Sequence, residues 1–122
     1  MGSYASKLSI QSGYVLVERP DNYEVVLEDQ PTELTRMLEI CKEADCRKVL
    51  IVGPSTKVRL SEMDIFHLGE RIAEMDLMIA VVETHDAMEK DVRFLENVAT
   101  NRGAPIQFFD SVEDAKRWLR VA

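Results

Sequence analysis

The sequence predicts an α/β protein with a mixed, mostly parallel β-sheet, and three observations carry this prediction. Two runs of consecutive apolar residues, Val49–Val52 and Leu77–Val82, lack the polar alternation of a strand with one solvent-facing side. Amphipathic stretches with helical spacing separate the apolar runs, and such alternation of strand and helix is typical of parallel sheets. A turn signal near the N-terminus, Ser12-Gly13, adds an antiparallel hairpin. The predicted order is β-β-α-β-α-β-α-β-α.

The first two strands are predicted to form this hairpin, with the first strand at an edge of the sheet. Leu8 and Ile10 alternate with polar residues, and Tyr14–Arg19 is a stronger apolar strand beyond the turn. Pro20 then breaks the chain. The next segment, Tyr23–Leu27, leaves two interpretations open, a further short strand or an extended lead-in to the first helix.

The first helix and the strand after it are the next predicted unit. Acidic residues and Pro31 in the opening turn suit the positive end of a helix. Apolar residues then recur at helical spacing, which predicts an amphipathic surface helix. Its predicted buried face comprises Leu34, Met37, Leu38, Cys41 and Ala44. The strand Arg47–Gly53 follows, and because it is apolar on both faces we expect it to be the central element of the sheet.

A polar loop, Pro54–Leu60, is predicted to connect this strand to a second helix. Ser61 followed by Asp64 is close to a capping box and marks the start of that helix. The helix is expected to extend to about Met75. Its predicted buried residues are Ile65, Phe66, Gly69, Ile72 and Ala73.

The C-terminal part is predicted to contain two further strands and two further helices. The apolar strand Leu77–Val82 is followed by a third helix, which Gly103 ends in a left-handed cap. The apolar positions of that helix are Met88, Val92, Leu95 and Ala99, with Phe94 and Val98 beside them. Pro105–Phe109 is the last strand, and Asp110–Asp114 caps a final helix. The apolar face of the final helix comprises Val112, Ala115, Trp118 and Leu119.

Composition limits the classes of function that the sequence supports. With 122 residues, of which 46% are apolar and 30% charged, the chain is expected to be one globular domain, residues 1–122. The net charge of −7 repels phosphate backbones, so we expect no nucleic-acid partner. No apolar run reaches the length of a membrane-spanning helix, so no transmembrane segment is expected.

The two cysteines, Cys41 and Cys46, lie five positions apart. This spacing is neither the C-x-x-C of a redox or zinc site nor a disulfide framework. Cys41 falls on the apolar stripe of the first helix and is expected to be a small core residue. Because the sequence also has no secretory leader, a reducing cytoplasm is the expected location.

Three segments carry a resemblance to a known family. The first segment, Cys46–Ile51, joins a helix end, a basic residue and an apolar strand. The second, Leu77–Val82, is another apolar strand, and the third, Arg102–Leu119, ends in an acid-capped helix. Through these segments and the element order, nearly the whole chain resembles the STAS superfamily of sulfate-transporter and anti-sigma-factor-antagonist domains. It is most similar to stand-alone bacterial anti-anti-sigma-like proteins. The resemblance implies the SpoIIAA-like fold and a non-catalytic regulatory or protein-interaction module, acting in signalling.

The resemblance also implies where a functional residue would lie. In the family, a partner kinase phosphorylates a serine or threonine at the start of the second helix, usually in an Asp-Ser-Ser/Thr-Gly context. The matching region lacks both that Asp and that Gly, so we favour a hydrophilic loop with a capping serine over a phosphorylation site. A phosphate there would still gain from the helix N-terminus and two nearby basic residues. The candidate regulatory or interaction loop comprises Pro54, Ser55, Thr56, Lys57, Arg59 and Ser61.

A second group of candidates lies after the next parallel strand. His85 and Asp86 follow that strand and are expected at the same rim of the sheet as Ser55 and Thr56. A serine, histidine and aspartate together suggest a hydrolase, but the G-x-S-x-G elbow is absent, and an adjacent Asp seldom orients its own histidine. We therefore expect no catalytic residue, and keep a hydrolase using His85 as the least favoured alternative.

Other sites are not predicted. No dinucleotide or P-loop motif occurs, so no cofactor is expected, and His67 and His85 lack zinc-site spacing, so no metal is expected. The topology is similar to that of lipid-transfer folds, and methionines adapt to apolar ligands. A lipid or other small hydrophobic ligand is therefore the main alternative to a protein partner. Self-association as a homodimer is also expected.

Overall fold

The computed structural model describes residues 6–20, 24–53, 57–59, 61–82, 97, 101 and 106–121. The strands in these ranges are β1 (Lys7–Ile10), β2 (Val15–Glu18), β3 (Glu24–Val26), β4 (Lys48–Val52), β5 (Lys57–Arg59), β6 (Met78–Val82) and β7 (Ile106–Phe109). The α-helices in the same ranges are α1 (Gln30–Ala44), α2 (Glu62–Glu74) and α3 (Val112–Leu119). A short 3-10 helix, Leu27–Asp29, leads directly into α1.

The main sheet has the strand order β1-β2-β4-β6-β7. Strand β1 is antiparallel to β2, and every other neighbouring pair is parallel. This confirms the mixed, mostly parallel sheet, the leading hairpin with β1 at an edge, and the central place of β4. The hairpin turn contains Gly13 at a φ of 86°, a left-handed conformation that glycine adopts without steric cost.

A second, smaller sheet pairs β3 with β5 in parallel. Glu24 lies opposite Lys57 and Val26 opposite Arg59. The segment Tyr23–Leu27 thus contains a short strand, one of the two alternatives left open. Its partner β5 lies within the predicted polar loop, and this part of the loop prediction differs from the structure. A three-residue strand leaves little sequence pattern, because its stability depends on a ladder partner about thirty residues away.

The two faces of the main sheet are covered by different helices. Alternate residues of each central strand point to opposite faces, so Val49 and Ile51 join the core beneath α1 and α2 while Leu50 joins the core on the other side. Burial on both faces explains why the central strands lack polar alternation. The buried residues of the first face are Val15, Val17, Leu34, Met37, Cys41, Val49, Ile51, Leu68, Ile72, Leu77, Ile79, Val81 and Ile106.

The second face packs against α3. Ala115 and Leu119 are completely buried there, and the Trp118 ring lies 5.7 Å from the Phe109 ring, centroid to centroid. Ser111 caps α3, because its side chain accepts a hydrogen bond from the Asp114 backbone N–H at 3.2 Å. The other buried residues of this face are Tyr14, Leu50, Ala80 and Val82. The predicted acid-capped final helix is confirmed.

The predicted third helix, with Met88, Val92, Leu95 and Ala99, lies outside the described residues, apart from the helical positions Asn97 and Asn101. Gly103, its predicted cap, also lies outside them. Among the helices that are described, none has the length and apolar character needed to span a membrane.

Candidate functional site

The carboxyl ends of the four parallel strands form one rim of the main sheet. Glu18, Val52, Val82 and Phe109 lie in a single row across β2, β4, β6 and β7. In open α/β sheets, ligand and partner sites gather beyond such a row. The segments that leave β4 and β6 therefore start side by side, as the sequence predicted.

Five of the predicted site residues at this rim lie outside the described residues: Pro54, Ser55, Thr56, His85 and Asp86.

Lys57 and Arg59 are described only as backbone of β5, where their peptide groups pair with β3. Ser61 is described fully. The phosphorylation and hydrolase hypotheses for the loop and rim residues therefore stay predictions.

Gly53 begins the exit from β4 and is closely packed against the exit from β2. The Arg19 backbone N–H donates a hydrogen bond to the Val52 carbonyl oxygen at 2.8 Å. Gly53 has a φ of 128°, and a Cβ at this position would lie 2.8 Å from both the Cβ and the carbonyl oxygen of Arg19. Only glycine suits this approach. The Gly-Pro turn was evident in the sequence, whereas its contact with Arg19 was not.

Ser61 acts as the N-cap of α2. Its hydroxyl oxygen accepts a hydrogen bond from the Asp64 backbone N–H at 3.1 Å, and the Asp64 carboxylate accepts one from the Ser61 N–H at 3.0 Å. These reciprocal bonds confirm the predicted capping box. A phosphate on Ser61 would break the first bond and face the Asp64 carboxylate, which repels it. The geometry of Ser61 therefore supports the capping role.

The first turn of α2 exposes an apolar side chain. Met63 is 63% exposed. Met63 and the buried Ile72 are nine positions apart, about two and a half helical turns, so they lie on opposite sides of α2. This spacing was the signal that could have identified Met63 as a surface residue.

A groove runs between the start of α1 and the exposed side of α2. We name it the α1–α2 groove; its volume is about 400 Å³. It is lined by Gln30, Pro31, Leu34, Asp64, His67, Leu68, Glu70, Arg71 and Glu74. Leu34 and Leu68 are buried and form an apolar floor, while His67 at the edge is exposed and lies 3.2 Å from the Glu70 carboxylate, Nδ1 to Oε1. Met63 is not part of this lining, but it lies one helical turn before His67 on the same side of α2.

The described part of the chain offers a surface with both apolar and charged side chains. Within that part, no group of three His, Cys, Asp or Glu side chains is placed to hold a metal ion. His67 projects from α2, and 66% of its side chain is exposed. What the described residues provide is an apolar floor, an exposed methionine and a charged border.

Comparison with solved structures identifies the fold. The chain is similar to a crystal structure of an uncharacterised protein from the DUF3478 family, described as having a SpoIIAA-like fold, from Shewanella loihica PV-4. The match covers 94% of this chain and 92% of that chain, with a TM-score of 0.55 and 14% sequence identity. No protein-family model matches the chain, and no curated protein does either. The predicted SpoIIAA-like fold is thereby confirmed.

Proposed function

We propose that this chain is a non-catalytic regulatory or protein-interaction module that binds a protein partner through the α1–α2 groove and Met63. The exposure of Met63 carries the proposal. A methionine that leaves most of its surface in solvent costs hydrophobic free energy that a partner surface would recover. The SpoIIAA-like fold supports a regulatory role for the same region. In the family that the sequence resembles, a partner kinase phosphorylates a residue at the start of the second helix.

The chemistry of the groove supports a protein partner. Protein interfaces commonly have an apolar centre within a polar border. Here Leu34 and Leu68 form the floor, and Asp64, Arg71 and Glu74 stand along the border. A partner with both an apolar side chain and complementary charges would match this surface.

The capping box favours binding by holding the surface in one conformation. Ser61 and Asp64 satisfy backbone groups at the start of α2, so the turn that carries Met63 is ordered before any partner arrives. A surface ordered in advance loses less conformational entropy on binding. These contacts support a structural role for Ser61 in the interaction.

A matched pair of substitutions tests the interaction surface. Met63→Asp removes the exposed apolar group. Ile10→Asp changes the other large apolar residue that is exposed within the described part of the chain, 51% exposed on β1. Each purified variant, with circular dichroism as a folding check, is used to capture proteins from a lysate of the source organism. We expect at least one protein to be retained about tenfold less by Met63→Asp than by the original chain and Ile10→Asp. If every retained protein is insensitive to Met63→Asp, this surface is not the contact surface.

The non-catalytic part of the proposal is tested separately on the purified original chain. We expect no turnover of a panel of esters and phosphoesters. Turnover that His85→Ala abolishes would overturn this part and favour the hydrolase alternative. Native mass spectrometry of the same sample addresses the ligand alternative, because a co-purifying lipid would favour a small-molecule binding protein.

A further inference from the structure

The end of α1 brings the two cysteines together. Asp45 adopts a left-handed conformation with a φ of 53°, and its N–H donates to the Lys42 carbonyl oxygen at 3.2 Å. The Cys46 N–H donates to the Cys41 carbonyl oxygen at 3.0 Å. This pair of bonds is the Schellman motif, which a contact between the side chains of the two outer residues frequently accompanies. In this chain those two residues are Cys41 and Cys46.

The two thiols differ in exposure. Cys41 is 1% exposed, while Cys46 is only partly buried. The Cys46 thiol donates a hydrogen bond to the Lys48 carbonyl oxygen at 3.9 Å. Burial, and after it the neighbouring Cys46 side chain, raises the pKa of the Cys41 thiol from 9.0 to about 12. Cys41 therefore stays protonated, and Cys46 is the thiol that solvent reaches first.

An open pocket leads to this thiol pair from the amino ends of β4 and β6. Its volume is about 330 Å³, enough for a small polar oxidant. Arg47 and Asp76 form an exposed ion pair within its lining. The complete lining is Leu38, Cys41, Lys42, Asp45, Cys46, Arg47, Met75, Asp76 and Leu77. This pocket lies at the opposite end of the parallel strands from the rim, so the proposed partner surface does not account for it.

We propose that Cys41 and Cys46 form a reversible intramolecular disulfide on exposure to hydrogen peroxide, which makes this pocket a redox modification site. The Cys46 thiolate attacks one peroxide oxygen, the O–O bond breaks, and the second oxygen leaves as water after taking up a proton. Cys46 is then a sulfenic acid. The Cys41 sulfur next attacks the Cys46 sulfur, the S–O bond breaks, and the hydroxyl leaves with the Cys41 proton as a second water. The two sulfurs are oxidised and the peroxide is reduced.

The Schellman motif is what makes this reaction intramolecular. A sulfenic acid with a thiol in contact condenses to a disulfide rather than being oxidised further. The closeness of residues 41 and 46 is set by two backbone hydrogen bonds and by the left-handed Asp45, so it is present before the oxidant arrives. Sequence spacing alone did not indicate a thiol pair, because Cys residues five positions apart meet only where a helix ends between them.

Peptide mass spectrometry of the full chain tests the proposal. The reduced protein is treated with hydrogen peroxide, alkylated with iodoacetamide after denaturation, and digested. We expect the peptides containing Cys41 and Cys46 to lack the mass of two hydrogens, to resist alkylation, and to recover both thiols with dithiothreitol. Addition of two oxygens to Cys46 while Cys41 remains open to alkylation would overturn the proposal. So would two unmodified thiols at a peroxide dose that oxidises a control dithiol.

Two variants and one ligand separate the roles of the cysteines. In Cys41→Ala we expect a Cys46 sulfenic acid that dimedone traps, and in Cys46→Ala an unmodified Cys41, because that thiol is buried. Since Cys41→Ala could unfold the protein, the original chain is also titrated with phenylarsine oxide, which requires two adjacent thiols. Binding of one equivalent to the reduced protein and none after peroxide treatment is expected. Equal labelling before and after peroxide would contradict a disulfide.

Discussion

At the scale of single residues, the rim of the sheet depends on a glycine whose role is only partly visible in the sequence. Gly53 before Pro54 predicts a turn, and the structure confirms a left-handed conformation at Gly53. The contact that excludes any side chain there comes from Arg19, thirty-four positions earlier, and such a long-range contact leaves no local pattern. The exposure of Met63 was within reach of the sequence, because helical spacing places it opposite Ile72. Local geometry could be predicted, whereas contacts between distant segments could not.

Alanine substitutions at Gly13 and Gly53, which both have left-handed backbone conformations, should separate the cost of backbone strain from the cost of a steric clash. Gly53→Ala places a Cβ 2.8 Å from Arg19 and also imposes an unfavourable φ, so we expect the free energy of unfolding to fall by about 3 kcal/mol. Gly13→Ala, whose Cβ would meet only Val121 Cγ1 at an ordinary 3.9 Å, should cost about 1 kcal/mol. Urea unfolding measures both values. Equal losses for the two variants would show that the approach to Arg19 has no energetic importance.

At the scale of elements, the strands and helices with strong periodicity were the most predictable. Strands β4 and β6, the helix stripe of α1 and the caps of α2 and α3 all follow from residues near in sequence. The small β3–β5 sheet did not, because three residues are too few for a reliable alternation and the partner strand is remote. Helix α3, only eight residues long, carries two completely buried side chains, Ala115 and Leu119, to the second face.

Shortening the side chain of Leu119, which is completely buried on α3, should therefore destabilise the protein. Leu119→Ala leaves a cavity among Leu50, Ala80 and Ala115, and we expect it to lower the free energy of unfolding by about 2–5 kcal/mol. The matched control is Arg117→Ala on the same helix, whose side chain is 79% exposed and forms only a surface ion pair with Asp114. That change should cost under about 1 kcal/mol. Denaturant titration compares the two, and similar values would mean that α3 is held by its surface contacts instead.

At the scale of the whole molecule, the two cores share the same strands. Val49 and Ile51 belong to one core and Leu50 to the other, so neither core forms without β4. Cores that share a strand are expected to unfold together. One domain, which composition and length had suggested, stays a prediction. The mixed, mostly parallel sheet could be predicted at this scale, because it follows from patterns summed over many residues. The SpoIIAA-like fold, by contrast, was implied by the resemblance to a known family.

Cooperative unfolding can be checked with two probes that report on different parts. Trp118 is the only tryptophan and contacts the second core, so its fluorescence reports on that face. Far-ultraviolet circular dichroism reports on all helices and strands. We expect the two urea transitions to coincide in midpoint and slope. An earlier transition in fluorescence would show that the second face opens alone.

The β3–β5 sheet has a consequence for how binding could be observed. Strand β3 leads through Leu27–Asp29 into α1, and β5 lies two residues before α2, so this ladder joins the starts of the two helices that border the α1–α2 groove. Ladders this short open frequently, and amide hydrogens in them exchange with solvent far sooner than those of a central strand. Any partner that holds the two helix starts together would slow that opening. The exchange rates of a few backbone amides in Glu24–Val26 and Lys57–Arg59 therefore report whether a partner is bound, and they can be measured without a dye or a tag.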